Sequence, residues 1–199
     1  QLASVGDLSG LKVGFADFSM ATRLQSIKIG DSSSSYDDPN LTALTLGNNA
    51  LLQTLDVRNC SGLGTGDQKT VDLSGCEIIE EIYFDGTSVQ GVTLPNGGVI
   101  RVLSLPDTIT NLTVMNQKNI TTFSVEGSDY SNISTLRVEN SSSAIPVMDI
   151  LGDMPANSRV RLIGFTLAVT STSDVEDFSD YLDTMRGMDE YGGNVDKAQ

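Results

Sequence analysis

A chain of 199 residues fits one domain with a sizeable core, and 26 acidic against 12 basic residues give it a net charge of -14. So acidic a surface repels phosphate backbones and sets nucleic acid aside as a partner, while no apolar run reaches membrane-spanning length and no charged-then-apolar leader is present, so membrane insertion is not expected. Histidine and tryptophan are absent, which removes Ser-His and Cys-His nucleophiles and the usual zinc sites.

Residues 1 to 23 contain Leu8, Leu11 and Val13, spaced as apolar, two residues, apolar, one residue, apolar, with Phe15 and Phe18 beyond. This predicts an irregular first coil or cap, since a terminal unit must cover an exposed core. Leu24, Ile27 and Ile29 repeat the phrase and end at Gly30 and Asp31; the Ser, Asp and Pro residues from Ser32 to Asn40 then form a surface loop. Asp37 and Asp38 there are candidate ligands for a hard cation, but the oxygen-ligand spacing of a calcium loop is missing and a solvated acidic turn is the simpler reading.

From Leu41 to Val138 the phrase becomes continuous. Its first places fall at 41, 52, 68, 79, 89, 100, 109, 120 and 133, and only Gln68 breaks the apolar pattern. Taking alternate copies gives coils of 27, 21, 20 and 24 residues, the range of solenoid repeats. The alternation inside each phrase is the period of a half-buried strand. Two phrases per coil therefore predict two strands per coil, stacked into two sheets on opposite walls with the apolar residues between them. A turn former usually follows two residues after the last apolar place, as at Asn48, Asn59, Gly75, Gly86, Asn96, Asp107, Asn116 and Asn140. Cys60 and Cys76 occupy one step of the repeat and read as buried, reduced thiols.

The Gly-Thr-Gly-Asp-Gln-Lys run from Gly64 to Lys69 reads as an insertion that lengthens one coil without disturbing its strands; it lacks the ending of a phosphate loop. Asn-x-Ser/Thr triplets at Asn40, Asn111 and Asn132 follow from turn asparagines preceding strand-favouring residues. Pro146 to Asp153 predicts a short helix replacing a second-wall strand, and Val160 and Leu162 restore the phrase with Gly164 at the turn. Ser171 to Gly187 predicts a longer capping helix: Ser173 and Glu176 have capping-box spacing, and Val175, Phe178, Leu182 and Met185 form its apolar side. Asp177, Asp180 and Asp183 on its other side read as a solvated face.

The expected fold is mostly β with C-terminal helices: a leucine-rich-repeat-like right-handed solenoid, coils of about 20–27 residues with two short strands each, capped by a helix. Within this single domain, residues 1–40 form the N-terminal cap and first irregular coil, 41–140 the regular repeats, 141–170 the last coil with its short helix, and 171–199 the capping helix and tail. The run NLTALTLGNNALLQTLDVRNCSGL at Asn40 to Leu63, the segment VDLSGC at Val71 to Cys76 and the closing LDTMRGMDEYGGNVDKAQ resemble the leucine-rich-repeat-like region of minor structural, tail-associated proteins. Those proteins belong to tailed bacteriophages and prophages of intestinal Gram-positive bacteria. The resemblance implies a location in the virion tail and a module of a longer protein, which fits the abrupt ends at Gln1 and Gln199. It implies no catalytic motif.

The expected function is thus a non-enzymatic structural or binding module with no cofactor and no metal, whose partners are other virion proteins or a host cell-surface component. Outward positions on the strands supply Tyr83, Arg101 and Arg137 as contact candidates, because aromatics and arginine concentrate at the energetic centres of interfaces. The alternative is a surface adhesin of a gut bacterium built from similar repeats. A polysaccharide-cleaving enzyme would need paired carboxylates in one cleft; Glu80 and Glu81, as neighbours on a strand, are expected on opposite faces. Neither ligand nor oligomeric state follows from the sequence.

Overall fold

The central apolar residue of each phrase lies between two polar ones in an extended run, so it alone turns inward. Ile27, Leu44 and Ile82 are buried between half-buried neighbours in the same three-residue strands. A computed structural model describes residues 4–5, 13–33 and 37–165 of the chain. Its elements begin with β1 (Ser4–Val5), β2 (Phe15–Asp17), β3 (Ser26–Lys28), β4 (Ala43–Thr45), β5 (Thr54–Asp56) and β6 (Thr70–Asp72). They continue with β7 (Glu81–Tyr83), β8 (Gly91–Thr93), β9 (Val102–Leu105), β10 (Asn111–Met115) and β11 (Thr122–Val125). A 3-10 turn at Glu126–Ser128 leads to β12 (Thr135–Glu139), helix α1 (Val147–Asp153) and β13 (Arg159–Ile163).

These strands form parallel sheets wound into a solenoid of about six turns. One wall runs β1-β3-β5-β7-β9-β11 and the other β6-β8-β10-β12-β13, with β2-β4 a separate two-stranded piece. Chain order alternates between walls, as the two-phrase coil predicts. Register places Ile27, Leu55, Ile82, Leu103 and Phe123 in one column, and Leu112, Leu136 and Val160 in a column of the facing wall. All but Phe123 and Val160 in these two columns are fully or almost fully buried. Burying one such side chain contributes about 1.5–3 kcal/mol. Cys60 and Cys76 are buried and unbridged in this core.

Corners absorb the changes in coil length. Phe15 pairs with Ala43, Thr70 with Gly91 and Asn111 with Thr135, so these rungs stack in register although the chain connecting them differs in length. At Gly86 the backbone is left-handed with φ 70°, as it is at Asn59, Asn116, Asn140 and Gly164. The predicted turn formers Asn48, Gly75, Asn96 and Asp107 do not adopt a left-handed φ. Gly75 serves another need, since a Cβ there would lie 2.6 Å from the Gly47 carbonyl oxygen one coil away. After Asn96 the left-handed residue is Gly97, at φ 73°.

Two expectations are corrected by the register. Leu8 and Leu11 lie outside the described residues, and Val13 is not the third place of a phrase. Because Ala16 pairs with Leu44, Val13 stands opposite Leu41, and the first coil's phrase is Val13, Ala16 and Phe18. The small Ala16 and the exposed Phe15 had hidden this copy. The insertion from Gly64 to Lys69, for its part, does interrupt the sheet: β4 and β6 form no ladder. Gln68 fills the break. Its Oε1 accepts from the Leu44 N–H at 2.9 Å and its Nε2 donates to the Leu44 carbonyl at 2.7 Å, so a side-chain amide replaces a strand's peptide group. Lys69 Nζ donates back to the Gly64 and Thr65 carbonyls and closes the loop.

Helix α1 forms where expected, from the Pro146 cap to Met154, with Val147, Ile150 and Leu151 buried. It lies between β12 and β13 in sequence and takes the place of a second-wall strand. The helix expected from Ser171 to Gly187 lies outside the described residues, as do the carboxylates on its polar face.

Gln68→Ala should lower unfolding free energy by about 1–3 kcal/mol, because it strands both polar groups of Leu44. Gln68→Glu should cost at least as much, since a carboxylate accepts from the N–H but faces the carbonyl without a proton to donate. Urea unfolding of both variants checks this; wild-type midpoints would show that water serves Leu44 equally well.

Candidate functional site

Each wall presents an outer face of polar side chains, and the three contact candidates do not meet. Tyr83 and Arg101 stand on the wall containing β7 and β9, Arg137 on the wall containing β10 and β12.

On the first of these faces the candidates are engaged by their own neighbours. The Arg58 guanidinium lies over the Tyr83 ring, 4.5 Å from its centroid, and pairs with Asp56 at 2.5 Å. Burial, and after it the Glu81 carboxylate, push the Tyr83 phenol above its ordinary range. Arg101 Nε reaches Glu80 at 3.1 Å and one terminal nitrogen reaches Glu81 at 2.8 Å. Glu80 and Glu81 therefore do converge, contrary to the alternation expected of strand neighbours. Glu80 lies just before β7, where strand alternation has not begun. One guanidinium occupies the space between the two carboxylates, which a scissile bond would need.

A groove marks the other face. The ladder between β8 and β10 holds one pair, Gly91 opposite Asn111, whereas β10 pairs with β12 from Asn111 through Met115. Beyond that single pair the strands separate, and Val92 and Leu94, at places buried in most other rungs, are only partly covered. The opening holds about 340 Å³. Thr70, Thr93, Asn111 and Thr113 line it with hydroxyls and amides, and Arg137 closes one side. Gly91 is its notch: in the outward column between Thr70 and Asn111 it contributes no side chain, and a Cβ there would meet the Thr70 hydroxyl at 3.1 Å.

Electrostatically the groove differs from the rest of the chain. None of its described lining residues is Asp or Glu. The acids nearest in register are already engaged: Asp72, beside Thr93, accepts the Ser74 N–H at 2.8 Å. Glu139 accepts from Arg137 Nε at 2.6 Å and from Arg161 Nε at 2.7 Å. The hydrogen bond from Arg137, then that from Arg161, hold the Glu139 carboxyl below the usual glutamate range. With its Nε committed, Arg137 keeps its terminal amino groups without a hydrogen bond among the described residues.

The acidic loop is tied to its own chain. Ser61 Oγ donates to Asp37, and the buried Asp38 accepts from the Asn40 backbone N–H at 2.9 Å and Nδ2 at 3.1 Å. The second Asp38 oxygen is buried without a partner among the described residues. No three His, Cys, Asp or Glu side chains cluster to hold a metal among the described residues, and no helix there is long and apolar enough to cross a membrane.

Neither the groove nor Gly91 was singled out from the sequence. The available signal was a glycine at an outward strand place, legible only once lateral register is known. Comparisons with protein-family models, curated proteins and solved structures found no match.

Two measurements follow. Arg137→Gln should raise the Glu139 carboxyl part-way towards an ordinary glutamate, read by carboxyl-carbon NMR. A depressed folded pKa stabilises above the unfolded pKa and is lost as pH falls through the folded value. The variant should therefore differ from wild type in stability near neutrality and converge with it at acid pH, by a small amount because the pair is partly solvated. Burial pushes the Cys76 thiol up to about 11, so a thiol reagent at neutral pH should label neither cysteine in the native chain and both after unfolding; rapid native labelling would place the thiols outside the core.

Proposed function

We propose that this chain is a non-enzymatic binding or structural module of a phage-tail minor structural protein, and that it engages a host cell-surface component or other virion proteins. The observation that carries the reading is the outer wall of short parallel strands, whose side chains stand at fixed intervals and open into a groove beside Arg137. Solenoid faces of this kind suit recognition of extended or repetitive partners. The leucine-rich-repeat-like construction is supported by the phrase spacing and by the buried Cys60 and Cys76 at one step of the coil. The tail location rests on the resemblance of the runs at Asn40 to Leu63 and Val71 to Cys76. A non-catalytic role is favoured because Glu80 and Glu81, the carboxylates considered for glycan cleavage, embrace Arg101.

Antibody against the chain, applied to an induced culture of a bacterium that carries it, should place gold label on phage tails in electron micrographs. Label confined to the cell wall would overturn the tail assignment in favour of an adhesin. Incubation with capsule and wall glycans should release no reducing ends or unsaturated products; release of either would overturn the non-enzymatic reading.

A further inference from the structure

We infer that the groove between β8 and β10 binds a carboxylate-bearing sugar unit, with Arg137 taking the carboxylate and the threonine and asparagine side chains taking the hydroxyls. The inference rests on the proposed binding role and specifies its ligand class and residues.

Three observations converge on it. The opening of about 340 Å³ matches the lower range of small-molecule sites and is shaped by the missing side chain of Gly91 and the one-pair ladder. Its polar lining consists of groups that both donate and accept, as Thr and Asn do. A polyhydroxylated ring presents the same mixture on its rim and C–H groups on its face, and the lining answers both: Val92, Leu94, Pro95 and Met115 supply apolar surface. Although Thr113 Oγ1 donates to Asn111 Oδ1 at 3.2 Å, a wholly apolar ligand would still bury the Thr70 and Thr93 hydroxyls without partners. Charge decides the rest. In a chain with 26 acidic residues this groove has none in its described lining, so no described carboxylate stands inside it to repel a negative ligand. Arg137 is oriented for such a ligand, because Glu139 holds its Nε and leaves the two terminal nitrogens as a planar fork of the kind that grips carboxylates. Glu139 is itself shared with Arg161, so it does not cancel Arg137 alone. No aromatic ring is among the groove's described lining residues, so single-site affinity should be weak and useful affinity should come from repeated display on an assembly.

The test is NMR titration of the folded chain with methyl glucuronide and with the matched neutral methyl glucoside. The glucuronide should shift the amide signals of Thr93, Asn111 and Thr113, and the glucoside should bind about tenfold more weakly or less. Arg137→Gln should reduce the glucuronide to the level of the glucoside, Arg137→Lys should fall between, and Gly91→Leu should abolish both. Arg101→Gln, on the opposite wall, should change neither. Thermal unfolding confirms that each variant is folded. Equal binding of the two sugars, an unchanged Arg137→Gln, or no shifts at the groove with either sugar would overturn the inference. Chain displayed in many copies on beads and incubated with host cells separates the two proposals: binding that survives Arg137→Gln and Gly91→Leu keeps the binding role and rejects this ligand site, whereas glucuronide binding without bead-to-cell binding keeps the ligand site and rejects host-surface recognition.

Discussion

No single coil of this chain can bury its own apolar side chains, and everything else follows from that constraint. A three-residue strand offers one inward side chain, flanked by the first and last places of its phrase. Water is excluded only when the next coil lies above, the previous one below and the opposite wall in front. Leu55 needs Ile27 and Ile82 on either side, and all three are sealed because the parallel ladder holds each rung directly over the last. Stability is therefore a property of neighbours.

Such a stack tolerates variation wherever it does not touch the columns. Chain between rungs lengthens at the corners, where Asx turns such as Asp17 with the Ser19 N–H and Asp72 with the Ser74 N–H turn the backbone. Part of the acidity is thus explained by turn geometry. Side-chain amides do comparable work in the interior. Asn49 is fully buried, accepts the Gly47 N–H and donates to the Phe18 and Ala21 carbonyls. Asn140, Asn116 and Asn96 bond in sequence along one corner. Gln68 carries this furthest by standing in for a peptide group where an insertion has opened the sheet. Each amide supplies a donor and an acceptor where the backbone would otherwise have neither satisfied.

Much of the architecture was legible because apolar spacing reports directly on burial. From Leu24 to Val138 the phrases assign every rung to its wall, and α1 announced itself through Pro146 and the apolar side of Val147, Ile150 and Leu151. Legibility failed where the deciding quantity was lateral. Ala16 is too small to look like a core residue until Leu44 is seen beside it. Glu80 and Glu81 were expected apart because strand alternation was extended one residue beyond the strand. Gly91 and the one-pair ladder create the groove through what two neighbouring coils fail to place there, which no single phrase records. Of the contact candidates, only Arg137 lines the groove, while Tyr83 and Arg101 are held by charges that lie on the same or adjacent coils.

Rigid, regularly stacked walls are what make a shallow groove usable: its lining is fixed by the ladder on both sides, so little ordering is left for a ligand to impose. The stacking itself is tested most directly by electron-spin distances between labels in one column. Labels at Ser26→Cys and Thr122→Cys stand on β3 and β11, four rungs apart, and should lie about 19 Å apart at roughly 4.8 Å per rung. A label at Val102→Cys, one rung nearer, should shorten that by about 5 Å. A narrow distribution that steps with rung number is the predicted result; distances that instead grow with the length of intervening chain, or that spread broadly, would contradict the rung-on-rung account.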